Sequence, residues 1–371
     1  MTEPLAARTA ASPEALAEQR IGTVREAAKA AGASGAVVTR PTDIRWACGF
    51  TGSNGLLVVS PEAAHFVTDG RYDAQARAEV GGAEVHVPGY KLWEHVAEAG
   101  LLGGAQRVAF QSDHLTVLQR QKLDELFDGV TWEPLVEMLV EAVAAKTAGE
   151  VAKVRRAQEA TCAILDTVLP LLQPNITEQE IATELVTRHL RAGASRMAFD
   201  PIVGSGPNGA LPHARAGERR LQTGDLVVID VGGMFDGYAS DLTRTVALGE
   251  PGDQAREAYA AVLAAQEAAI AQARAGVTGA DLDRAARGVL EDAGFGDRFT
   301  HSLGHGVGLD VHEWPRLSQT VEHVLPEGAT VTIEPGVYVP GEFGVRIEDV
   351  IALTADGHEN LTPLAKDLLV F

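Results

Sequence analysis

Leu226-Val227-Val228-Ile229-Asp230-Val231-Gly232 and Val331-Thr332-Ile333-Glu334-Pro335-Gly336 are the two stretches whose reading decides the fold. Each is a short apolar run that ends in an acid, the pattern of a buried strand presenting one charged side chain. Side chains alternate along a strand, so Asp230 shares a face with Val228 and opposes Ile229 and Val231. Asp241 and Glu348 follow their partner acids at a spacing that suits the return strand of a hairpin. His305 lies between the two hairpins, inside Gly304-His305-Gly306-Val307-Gly308. The doubling extends upstream. Ala157-Gln158-Glu159-Ala160 recurs as Ala265-Gln266-Glu267-Ala268, and Thr177-Glu178-Gln179-Glu180-Ile181 as Thr278-Gly279-Ala280-Asp281-Leu282. The latter pair reads as two helix starts, with Thr as N-cap and an acid three residues on. Each half is then two helices followed by an acid-bearing hairpin, and a pseudo-two-fold would bring the four acids and His305 together.

Four carboxylates packed against one imidazole repel one another and desolvate badly without cations. Hard divalent metals held by oxygen and imidazole ligands resolve the arrangement, which points to a two-metal hydrolase. The bland alternative, that Asp230 and Glu334 are strand-end acids in water, suits one acid better than a doubled set flanking a glycine-framed histidine. His301, His312 and His213 add imidazoles near the same segments, which favours metal or acid–base chemistry.

The chain has 371 residues, 46% of them hydrophobic, with a net charge of -20. This acidity argues against a nucleic-acid partner and against an anionic membrane surface. The two cysteines, Cys48 and Cys162, have no paired spacing and support neither a disulfide framework nor a thiolate zinc site. The first twenty residues lack the apolar stretch of a signal peptide, and no run approaches a membrane span, so a cytoplasmic location is expected.

Upstream, Gly35–Thr39, Gly55–Val59, Ala64–Thr68 and Arg107–Phe110 read as strands separated by helical patterns, an α/β arrangement. Residues 1–20 read as a tail, 21–135 as a first domain and 136–371 as a second. A long helix over about 136–160 is expected to bridge them. Gly204-Ser205-Gly206-Pro207-Asn208-Gly209 matches a dinucleotide fingerprint, but Pro207 and Pro212 fall where its helix would run, so a tight loop beside the active site is the better reading. No Gly-x-Ser-x-Gly elbow or convincing catalytic cysteine is present, leaving nucleophilic acyl-enzyme chemistry little support.

From about residue 150 the chain resembles the pita-bread metallopeptidases, and within them the proline-specific branch of Xaa-Pro aminopeptidases and Xaa-Pro dipeptidases. The matching stretches are Ala210-Leu211-Pro212-His213, Ile229-Asp230-Val231-Gly232, Ser240-Asp241-Leu242-Thr243-Arg244-Thr245, Gly304-His305-Gly306-Val307-Gly308-Leu309, Val311-His312-Glu313, Thr332-Ile333-Glu334-Pro335-Gly336 and Arg346-Ile347-Glu348-Asp349. Gly49-Phe50-Thr51-Gly52-Ser53-Asn54 and Thr68-Asp69-Gly70-Arg71-Tyr72 resemble the creatinase-type N-domain of the same proteins. The resemblance implies an α/β (α+β) fold class: a creatinase-like α/β domain followed by a pita-bread catalytic domain with an internal pseudo-two-fold repeat. It implies two divalent metal ions, Mn2+ foremost, with Co2+ or Zn2+ as alternatives. Asp230 would chelate one metal, Asp241 and Glu348 would bridge both, and His305 and Glu334 would bind the second. Glu334 would also move the proton of the attacking water. His213 and His312 would contact substrate and the tetrahedral intermediate, while His301, Tyr338 and Arg346 would line the proline pocket. The expected activity is an aminopeptidase removing the first residue from peptides with proline second. A dipeptidase restricted to Xaa-Pro is the alternative, and a non-catalytic peptide-binding protein of the same fold is disfavoured by the intact ligand set. A homodimer is expected.

Overall fold

Short apolar runs in the first part of the chain form the strands expected of them. The computed structural model describes residues 12–371. Two compact units divide between Val143 and Ala144. Of the expected N-terminal tail, residues 1–11 lie outside the described residues; from Pro13 the chain is helical.

The first unit runs α1 (Pro13–Ala30), β1 (Gly35–Val38), α2 (Pro41–Cys48), β2 (Leu56–Val59), β3 (Ala64–Val67), α3 (Asp73–Glu79), β4 (Glu84–His86), α4 (Leu92–Glu98), β5 (Arg107–Gln111), α5 (Val117–Leu126), β6 (Thr131–Leu135) and α6 (Val140–Ala144). Its strands form one mixed sheet in the order β4-β3-β2-β1-β5-β6. The period-two alternation of strands puts Val37, Val58, Val67 and Val108 on one face, where they pack with Leu92, Trp93 and Val96 of α4 and Leu123 of α5. The edge strands β4 and β6 carry polar residues and have no counterpart among the runs legible as strands.

The expected long helix over 136–160 is two helices. The helical stretch is interrupted at residues 145–147, where Thr147 caps α7 (Ala148–Val168) through a reciprocal hydrogen-bond box with Glu150. A capping box is a helix start by construction, so α6 cannot run through it.

The second unit continues with α8 (Glu178–Arg191), β7 (Arg196–Met197), β8 (Ile202–Ser205), β9 (Leu226–Val231), β10 (Gly233–Phe235), β11 (Tyr238–Ala239), β12 (Leu242–Ala247), α9 (Asp253–Gln272) and α10 (Gly279–Asp292). After these come β13 (Gly304–Gly306), β14 (Glu313–Leu317), β15 (Thr330–Ile333), β16 (Gly336–Val339), β17 (Phe343–Arg346), β18 (Asp349–Leu353) and β19 (His358–Asn360). The internal repeat is physical. Thr177 boxes with Glu180 at the start of α8, and Thr278 with Asp281 at the start of α10. Sheet order β12-β9-β8 in one half answers β18-β15-β13 in the other.

The expected simple hairpins are interrupted. β9 and β12 pair antiparallel, Asp230 opposite Thr243, but the small β10–β11 hairpin is inserted between them. β15 and β18 pair in the same way around the inserted β16–β17 hairpin. Val227, Ile229 and Val231 pack onto Leu165 of α7 and Leu185 of α8, while Val331 and Ile333 pack onto Val262 of α9 and Leu290 of α10. With the odd-numbered side chains committed to those helices, Asp230 and Thr332 must face the opposite side.

The Thr278→Ala substitution removes the hydroxyl that accepts from the Asp281 N–H and is expected to cost about 1 kcal/mol of stability. Urea unfolding of the metal-loaded protein checks this, and an unshifted midpoint would show that the box contributes nothing.

Candidate metal centre

Alternation along β9 turns Asp230 into the space between the two halves, and the other acids arrive at strand boundaries. Asp241 immediately precedes β12, Glu334 follows β15, and Glu348 precedes β18. At such junctions the backbone departs from the ladder, so a carboxylate can be aimed without breaking a strand pair. His305 reaches the same place through a bulge: β13 shifts register against β14 between His305 and Gly306, a device that re-aims a side chain. The glycines beside it are required by close backbone approach. A Cβ on Gly304 would collide with the Thr332 carbonyl, and one on Gly306 with that of Trp314.

The five residues converge. One ligand atom from each of Asp241, His305 and Glu348 falls within a mutual 4.8 Å. The His305 Nε2 lies 3.2 Å from Glu334 Oε1 and 3.6 Å from Asp241 Oδ2. Its Nδ1 lies 3.0 Å from the Gly306 carbonyl, which fixes the ring's orientation. Asp230 accepts a 2.7 Å hydrogen bond from Arg346 on Oδ2, while its buried Oδ1 has no partner.

Two threonines and a glutamine missing from the sequence reading hold the acids in place. The Thr243 hydroxyl donates to Glu348 Oε2 at 2.8 Å, and that of Thr332 donates to Glu334 Oε1 at 3.0 Å. Gln158, fully buried, donates to the Asp241 carbonyl at 2.6 Å and accepts from its N–H at 3.1 Å. The repeated Ala-Gln-Glu-Ala motif was the available signal for Gln158; its counterpart Gln266 accepts from Lys366 at 2.8 Å.

Electrostatics register the crowding. Burial pushes the carboxyls of Asp241 and Glu348 well up, and the neighbouring carboxylates push further. Asp230 is raised by burial against the opposing pull of Arg346. Burial would raise Glu334 as well, but its hydrogen bond to His305 and the imidazole charge prevail and hold it at about 2. His305 is raised, the Glu334 hydrogen bond overcoming burial. The donor set is oxygen and imidazole with no thiolate, and it contains an orphaned buried carboxylate oxygen, so these residues fit hard divalent cations.

The other expected site residues divide by exposure. Tyr338 and Arg346 are buried. The Arg346 guanidinium is turned inward, donating to Asp230, to the Tyr338 hydroxyl at 2.7 Å, to Thr243 at 3.1 Å and to the Pro212 carbonyl at 3.2 Å. That set of partners makes Arg346 an internal brace. His301 meets the Tyr338 hydroxyl at 2.9 Å, and burial lowers its pKa. His312 is exposed, its ring edge-on to His305 at 4.4 Å between centroids. Although its surface is open to solvent, partial desolvation of its ring beside the acid cluster, followed by repulsion from His305, lowers its pKa and favours the neutral form. His213 is exposed on the turn after residues 206–210. The glycine-rich stretch 204–209 opens no α-helix but a short 3-10 turn over Gly206–Ala210, pinned by the buried Glu178 carboxylate through Ser205 and Asn208.

One cation escaped the sequence reading. Arg316 in β14 stands directly opposite His305 in the strand pair, so both side chains project from the same face. It is exposed and makes no side-chain hydrogen bond or ion pair among the described residues, and its charge is felt at His312.

The acid cluster gives the metal-free protein a defined pH response. A raised carboxyl binds its proton more tightly folded than unfolded, so Asp230, Asp241 and Glu348 contribute stability at low pH that is lost as pH rises through their raised values. Glu334, lowered to about 2, works the other way, and its contribution is lost as pH falls toward that value. Glu334 changes only at acid pH, and the raised His305 adds to the same loss as the three carboxyls, so divalent cation should raise the urea midpoint of chelated protein more near neutral pH than near pH ~5. Equal midpoints with and without metal would contradict the assignment.

Comparison with known proteins shows the family. The model for Metallopeptidase family M24 matches residues 152–355, and that for the Creatinase/Prolidase N-terminal domain matches residues 20–143. A Xaa-Pro dipeptidase from Pyrococcus furiosus is 46% identical over 215 residues, 57% of this chain and 62% of that protein. The structure of a Xaa-Pro dipeptidase from Bacillus anthracis superposes with a TM-score of 0.93 at 36% identity, covering 96% of this chain and 100% of that one. An X-Pro aminopeptidase structure from Thermotoga maritima gives 0.87 at 33%, covering 93% and 100%. With its acids and histidine brought together on a doubled pita-bread scaffold, the chain belongs to metallopeptidase family M24, in the proline-specific branch, and is a metal-dependent peptide hydrolase.

Proposed function

We propose that this protein is a Xaa-Pro dipeptidase working with two divalent cations, manganese foremost, held by Asp230, Asp241, His305, Glu334 and Glu348. The observation that carries the dipeptidase reading is Arg316, an exposed guanidinium on the His305 face of β14 with no hydrogen-bond or ion-pair partner among the described residues. A dipeptide offers a carboxylate one residue beyond the scissile bond, and an arginine fork is suited to receive it. Dipeptidase names among the relatives support the same choice over the aminopeptidase expected from the sequence.

The bound cations supply Lewis-acid polarisation of the scissile carbonyl and a lowered pKa for the attacking water. Glu334, beside His305 at the edge of the acid cluster, takes the water's proton and passes it to the departing proline nitrogen. His312, held neutral, donates an N–H to the carbonyl oxygen as charge develops there, with His213 beside it. Tyr338 and His301 form one wall for the proline ring, locked by their mutual hydrogen bond and by Arg346. Arg346 acts by positioning Asp230 and Tyr338.

Glu334→Gln should abolish turnover with the fold retained, read by initial rates and circular dichroism; residual activity near wild type would remove the proton-transfer role. Wild-type protein with manganese should cleave an Xaa-Pro dipeptide and leave the matching Xaa-Pro-Yaa tripeptide largely intact. Arg316→Ala should raise KM for the dipeptide by about tenfold or more, the loss expected for a hydrogen bond to a charged group, with a smaller change in kcat. Tripeptide cleavage equal to dipeptide cleavage, with an unmoved KM in the variant, would return the protein to the aminopeptidase reading.

A further inference from the structure

Three imidazoles and a carboxylate meet in the first unit. His65 on β3 lies opposite Glu84 on the parallel edge strand β4, and His86 lies at the end of β4. These residues and Val67 share the face that α4 covers, and α4 contributes His95. The His65 Nδ1 is 3.1 Å from His86 Nε2 and 3.4 Å from Glu84 Oε2, and His86 Nε2 is 3.7 Å from the same carboxylate oxygen. The other ring nitrogen of His86 lies 3.4 Å from His95 Nε2. The side chains of His65 and His86 are only 15% and 18% exposed, while Glu84 reaches in from solvent at 69%.

A tetrahedral zinc ion with bonds of about 2.0–2.1 Å separates its ligand atoms by about 3.3 Å. The three donor atoms form a triangle with edges of 3.1, 3.4 and 3.7 Å, one face of such a tetrahedron. Hydrogen bonding alone serves the group poorly. A neutral imidazole carries one N–H. If His65 donates to His86 Nε2, the His86 lone pair also faces the Glu84 carboxylate; if His86 donates, the His65 lone pair faces it. Either tautomer leaves a lone pair against a carboxylate oxygen, and a cation at the centre of the triangle removes the conflict. Burial lowers the pKa of His86 and keeps it in the neutral form that ligates.

We propose that His65, Glu84 and His86 form a third divalent-metal site, of zinc type, separate from the peptidase centre. His95 orients His86 from behind, and water completes the coordination. Imidazole-rich donors select zinc, copper or nickel over the manganese suited to the oxygen-rich peptidase centre. The site would pin β4, a three-residue edge strand, to β3, and so steady an edge that is otherwise held by a short ladder.

Zinc titration into full-length protein already saturated with manganese tests this, with bound metal counted by elemental analysis after gel filtration. Wild type should retain one more metal ion per chain than His65→Ala/His86→Ala, and zinc should raise the thermal midpoint of wild type only. Glu84→Gln, an exposed and nearly isosteric change that leaves the fold undisturbed, should weaken the added zinc by about tenfold or more while leaving peptide hydrolysis unchanged. The same total metal content in wild type and both variants, with zinc merely replacing manganese, would overturn the proposal. Because hydrolysis and metal count are read separately, an inactive peptidase centre would not be mistaken for failure of this site.

Discussion

Like-charge repulsion among buried carboxylates is the constraint on which the second unit depends. Asp230, Asp241 and Glu348 are taken out of water together, and desolvation and mutual charge push all three toward the protonated form. Bringing unpaired charges into a low-dielectric interior is strongly unfavourable. Local partners relieve part of it: Arg346 on Asp230, His305 on Glu334, and the threonine hydroxyls on Glu334 and Glu348. These leave a buried oxygen of Asp230 unmatched. The scaffold therefore holds an arrangement that cations complete.

That requirement explains the doubled architecture. A single strand can present an acid at one end, but converging acids must come from separate strands meeting at their ends. Two copies of a helix–helix–sheet unit, with apolar sides buried on their own helices, leave the opposite sides free to face each other. The inserted β16–β17 hairpin brings Tyr338 and Arg346 to the same place, and Arg346 ties the two halves through Asp230. The threonines and Gln158 fix the carboxylates by local hydrogen bonds, so their geometry is set before any cation arrives.

Much of this was legible because it lies in short-range patterns. The acid-terminated runs marked Asp230 and Glu334, alternation gave the facing of Asp230, and the Thr177 and Thr278 helix starts were visible as caps with acids three residues on. The glycines around His305 signalled close backbone approach, and steric collision with the Thr332 and Trp314 carbonyls is the reason for two of them. What escaped depends on tertiary contact. The β10–β11 and β16–β17 insertions are too short to have a period. The inward turn of Arg346 is set by partners distant in sequence, and Arg316 gains its meaning only from standing opposite His305 across a bulged pair. The break at Thr147 was local, since its capping box with Glu150 can be read directly, yet the surrounding helical composition hid it.

The most direct measurement is anomalous diffraction at the manganese edge from crystals grown with that ion. Two adjacent peaks enclosed by Asp230, Asp241, His305, Glu334 and Glu348 are expected. An ordered cluster with no anomalous peak at saturating manganese would contradict the two-cation site, because the carboxylates would then be accommodated by protons and internal hydrogen bonds alone.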